Sequence, residues 1–72
     1  MQHTILTKIT KKRLEKNFSQ HYMASQLNIS QSYYNKIENG KKELTISRIL
    51  EIVKILNISI TDIFDSKNNK SA

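Results

Sequence analysis

Apolar residues recur at helical spacing along most of this chain, broken by capping residues and asparagines. Ile5, Ile9 and Arg13 stand at i, i+4 and i+8 with Leu6 beside them. They predict a first helix from a Thr4 cap to about Lys16, ended by Asn17 and coated by Lys8, Lys11, Lys12 and Lys16. Phe18 then precedes Ser19, as an apolar staple precedes a helix cap. Ser19 and Ser30 each open a short helical run. Met23, Ala24 and Leu27 share one face of the first run, and Ile29, Tyr34 and Ile37 supply the inward side of the turn and the second. Asn28 suits the left-handed corner between the runs, and Gly40 closes the second. Beyond the polar loop Lys41 to Leu44, Thr45 caps a fourth helix from Ile46 to Leu56, whose apolar stripe reads Ile46, Ile49, Leu50, Val53, Leu56. Asn57 ends it. Ser59 to Asp62 resembles a capping box for a short fifth helix through Phe64. Residues 1–65 thus form one domain, and Ser66 to Ala72, without an apolar residue, is expected to be a disordered tail.

Composition narrows this picture to a small all-α domain. Seventy-two residues hold one core, and with no cysteine neither a disulfide nor a thiolate metal site is available to it. No proline and one glycine argue against a turn-rich β fold. No apolar run approaches membrane length, and the N-terminus is too polar for a signal peptide, so a cytoplasmic protein is expected. The charge is uneven. Residues 1–42 carry eight Lys/Arg against Glu15 and Glu38, whereas residues 43–72 carry four of each sign. The whole excess of +6 therefore lies in the first half, an electrostatic footprint for nucleic acid. Catalysis finds no support: His3 and His21 lack partners at metal-ligand spacing, Ser19 and Ser30 are explained as caps, and Gly40 stands alone. No cofactor is implied.

Two runs of about eight residues joined by a tight turn describe a helix-turn-helix. Gln31, Asn35 and Asn39, with Ser32 and Lys36, form one polar strip on the outside of the second run. Alone, such a strip reads as an ordinary solvated face. Preceded by a capped helix and a sharp corner, it reads as a surface for double-stranded DNA.

Those residues resemble the Cro/cI-type, or XRE-family, helix-turn-helix regulators. The likeness lies in Arg13, Phe18-Ser19-Gln20, Met23-Ala24, Leu27 to Ser32 and Ile37 to Lys41, and it continues through Leu44 to Phe64. Asn17, Asn28 and Asn57 stand where the family often has glycine, a change asparagine tolerates. The resemblance implies a compact five-helix, lambda-repressor-like domain acting as a small stand-alone transcriptional regulator. It implies a phosphate contact for Gln20 and an ion pair between Arg13 and Glu38, where the residues alone allow Arg13 to be a snorkelling side chain. It leaves open an antitoxin with a toxin partner, a restriction–modification controller, or an interaction module that has lost DNA binding.

With the second run in the major groove, Gln31 is expected to bond an adenine edge, and Ser32 and Lys36 to reach neighbouring bases. Asn35 completes the strip, while Asn39, Lys41 and Lys42 hold the backbone. Tyr33 has two readings, a sugar–phosphate contact or a shield over the core. Ile58, Ile60, Ile63 and Phe64 crowd the end of a chain with limited interior. They are expected to form a homodimer interface that matches an inverted-repeat operator.

Overall fold

The computed structural model describes residues 2–64, all helix and connecting turn. Its helices are α1 (Gln2–Glu15), α2 (Gln20–Leu27), α3 (Gln31–Glu38), α4 (Ile46–Leu56) and α5 (Ile60–Ile63). The expected five-helix, all-α architecture is therefore present. The 66–72 tail lies outside the described residues. One boundary moves: α1 begins at Gln2, so Thr4 is a residue within the helix and not its cap.

The remaining starts follow side-chain chemistry. Hydroxyls of Ser19, Ser30 and Thr45 accept from the backbone N–H groups of Tyr22, Tyr33 and Arg48 at 2.9–3.1 Å. Asp62 in turn accepts from the Ser59 N–H at 2.8 Å. The ends share one device as well. Asn17, Asn28, Gly40 and Asn57 have φ of 63°, 62°, 76° and 57°. The N–H after each bonds back to a carbonyl five residues earlier: Phe18 to Arg13, Ile29 to Ala24, Lys41 to Lys36 and Ile58 to Val53. Phe18, Ile29 and Ile58 then pack against the core, whereas Lys41 stays exposed.

The core joins Ile5, Leu6 and Ile9 of α1 to Met23, Ala24 and Leu27 of α2 and to Tyr34 and Ile37 of α3. Leu44, Ile49, Ile52, Val53, Leu56 and Ile63 close it from the other side. On α4 the buried stripe is Ile49, Ile52, Val53 and Leu56, while Ile46 and Leu50 are 66 % and 52 % exposed. The expected stripe was rotated, because α4 is apolar over more of its circumference than one neighbour layer covers. Ile63 is fully buried, which corrects its assignment to a dimer surface; Ile58 and Ile60 are half-buried against the core, and Phe64 is exposed. Four-residue α5 docks through two apolar side chains, Ile63 fully buried and Ile60 half-buried.

One ion pair crosses the apolar interior. Arg13 donates to Glu38 twice, Nε to Oε2 at 2.7 Å and Nη2 to Oε1 at 3.2 Å, with the side chains only 9 % and 4 % exposed. Its Nη1 also donates to the Phe18 carbonyl at 2.8 Å, tying α1 to the start of α2. Glu38 accepts further from the Tyr34 hydroxyl at 2.6 Å and from Gln20 Nε2 at 3.1 Å. Burial pushes the Glu38 carboxyl up, but the bonds from Arg13, Tyr34 and Gln20, with the guanidinium charge, outweigh it and hold it below the ordinary range. The hydrogen bond to Glu38 in turn raises Arg13, and burial raises the Tyr34 phenol.

Arg13→Met or Glu38→Leu alone should cost about 3 kcal/mol or more, because each strands buried polar groups. The double variant should recover part of that loss, not all, since the Tyr34 hydroxyl keeps no acceptor. Urea unfolding of the three variants measures both effects; single variants within about 0.5 kcal/mol of wild type would reduce the pair to a surface contact. A depressed carboxyl stabilises the fold fully above its ordinary pKa of 4.5 and loses that contribution as pH falls through the folded value. Wild type should accordingly lose more stability than the double variant on acidification below about pH 4.5.

Candidate nucleic-acid interface

The turn between α2 and α3 is fixed at every step. Asn28 takes the left-handed conformation, its N–H and that of Ile29 close α2, and the Ser30 hydroxyl opens α3. Ala24, almost fully buried, leaves room for α3 to cross close by. Tyr34 and Ile37 are then committed to the core. With a repeat of 3.6 residues, that commitment turns Gln31, Ser32, Asn35, Lys36 and Asn39 outward, and all five are exposed as the sequence predicts.

Three of the expected site residues are linked to one another. Gln20, half-buried at the start of α2, accepts through Oε1 from Asn35 Nδ2 at 3.1 Å, and Asn35 Oδ1 accepts from Asn39 Nδ2 at 3.0 Å. Because Gln20 also donates to Glu38, the outer strip is continuous with the buried ion pair. Sequence reasoning anticipated the pair but not this extension, nor the Tyr34 hydroxyl on Glu38. The spacing held a signal for the second: Tyr34 and Glu38 are i,i+4 on one helix, and a buried tyrosine needs a partner for its polar tip. Nothing in linear spacing announces Gln20 beside Asn35.

Basic groups lie at the C-terminal end of α3. Lys41 is exposed with its N–H held by the Lys36 carbonyl at 2.8 Å, so its backbone closes the helix end. The Lys42 ammonium sits 5.3 Å from the centre of the Tyr33 ring. Tyr33 is 37 % exposed, at the surface and outside the buried core. Away from this face, Ile46 and Leu50 form an apolar ridge one turn apart on α4.

Residues 9–63 match the family described as helix-turn-helix. A control protein, C.MunI from Mycoplasma sp, is 34 % identical over 58 residues, which span 79 % of this chain and 78 % of that protein. The HTH-type transcriptional regulator RamB of Mycobacterium tuberculosis is 34 % identical over 55 residues, 76 % of this chain but 12 % of its own length. The fold is that of the clp gene regulator ClgR from C. glutamicum, with a TM-score of 0.81 over 100 % of this chain and 95 % of that one, at 19 % identity. Folded as its capped runs predict, the chain belongs to the XRE-type helix-turn-helix family of DNA-binding transcription regulators.

Proposed function

We propose that the chain recognises a specific duplex sequence by laying α3 in the major groove, and that it does so as a homodimer in the cytoplasm. The observation that carries this reading is the wholly polar outer face of α3, anchored at one end by the Ser30 cap and at the other by the buried Glu38. The excess positive charge of residues 1–42 supports it by drawing that face to phosphate. Gln31, in the first turn of α3, reads a base edge, with Ser32 and Lys36 beside it. Gln20, Tyr33, Asn39, Lys41 and Lys42 contact sugar and phosphate and set the register. Likeness along most of both chains to a protein named a control protein favours a regulatory role over a purely protein-binding one.

For the dimer, Ile46 and Leu50 of α4 and Phe64 beyond α5 are exposed apolar positions in the second half of the chain. Ile58 and Ile60 are half-buried beside them, and Ile63 is excluded by its burial; Leu14 on α1 is exposed as well. A two-fold contact on α4 would present two copies of α3 to half-sites about one helical turn apart. Sedimentation at tens of micromolar should give twice the 8.4 kDa chain mass, and Leu50→Glu should halve it. A monomer under those conditions, both free and on DNA, would remove the dimer.

Reading and holding separate by mutation. Gln31→Ala should cost about 1–3 kcal/mol on the preferred duplex and much less on scrambled DNA. Lys41→Ala should weaken both about equally and flatten the slope of log K against log salt by about one per subunit. Titrations at several salt concentrations measure both; equal losses for Gln31→Ala on the two duplexes, with site preference unchanged, would contradict base reading by α3.

A further inference from the structure

A carboxylate only accepts hydrogen bonds, so Glu38 decides which end of the Gln20 amide turns toward it. Gln20 presents Nε2 to Glu38 Oε1 at 3.1 Å, which leaves its Oε1 facing α3. Asn35 meets that oxygen with Nδ2, which leaves Asn35 Oδ1 facing Asn39, and Asn39 answers with Nδ2. Each amide is oriented by the one before it, back to a side chain that is 4 % exposed and cannot itself reach DNA. An isolated surface asparagine presents donor and acceptor in either sense. In this chain Asn35 is held in one sense, with one N–H and one lone pair still free on the outer face of α3.

We infer that Glu38 and Gln20 are specificity-determining positioning residues, which through this directional amide relay set the donor and acceptor that Asn35 offers to a base pair. The inference rests on α3 reading bases, and it adds Asn35 as a second reading position controlled from inside the fold. The two Glu38 oxygens do different work. Oε2 takes Arg13 Nε and the Tyr34 hydroxyl, while Oε1 takes Gln20 and the longer contact from Arg13 Nη2. In Glu38→Gln the amide oxygen is best satisfied at the Oε2 position, where its two donors are closest. An NH₂ group then faces Gln20 and reverses the relay.

Binding should be measured on the preferred duplex and on all its single-base variants, for wild type, Glu38→Gln, Gln20→Met, Tyr34→Phe and Gln31→Ala. Gln20→Met breaks the relay but leaves the Arg13–Glu38 pair intact, so it reports even where Glu38→Gln folds poorly. Both relay variants should lose about tenfold of the base preference at one position per half-site, different from the position altered by Gln31→Ala. Tyr34→Phe removes only an Oε2 donor; it should melt earlier and keep every base preference. A uniform loss across all duplexes for Gln20→Met would reduce Gln20 to a phosphate contact and overturn the relay. So would an equal change of preference in Tyr34→Phe, which would mean that loosening alone suffices. If Gln31→Ala also left every preference unchanged, base reading by α3 would itself have failed.

Discussion

A buried carboxylate has to be met by enough donors to replace its water, and in this fold that demand falls on Glu38. The donors come from three helices: Arg13 on α1, Gln20 on α2 and Tyr34 on α3 itself. Apolar packing brings the same helices together but tolerates sliding, since crossing geometry is only a tendency. Hydrogen bonds of 2.6–3.2 Å tolerate much less. The end of α3 is therefore placed by directed contacts, and the outer face of that helix is placed with it.

The helix ends use the same local chemistry to two different outcomes. After Asn17, Asn28 and Asn57 the chain sends an apolar side chain inward, and each corner is fastened to the core. After Gly40 it sends Lys41 outward instead. This departure falls at the end of the helix that carries the polar strip, where the proposed function gives the cation a phosphate to meet.

Much of this was legible in the sequence because capping, left-handed corners and helical periodicity are short-range. Ser19, Ser30, Thr45 and Asn28 could each be read from their immediate neighbours, and with them the turn and the outward strip. The stripe on α4 could not be fixed that way: several apolar registers overlap, and only the layer beneath decides that Ile52 goes in while Ile46 and Leu50 stay out. Ile63 departs from expectation for a related reason, since crowding of apolar residues does not say which one the interior accepts. Gln20 belongs to a third kind. Its contacts lie 15 and 18 residues away, and a surface amide carries no local sign of being oriented by a buried charge.

Under the proposed function the fold serves one orientation, a polar helix face held outward so that bases can be read. Selection of bound duplexes from a random pool by the wild-type protein tests that claim most directly. The expected result is one enriched motif of two inverted half-sites, centred about one helical turn apart. A pool retained through salt-sensitive binding, yet showing no enriched sequence after repeated rounds, would contradict it.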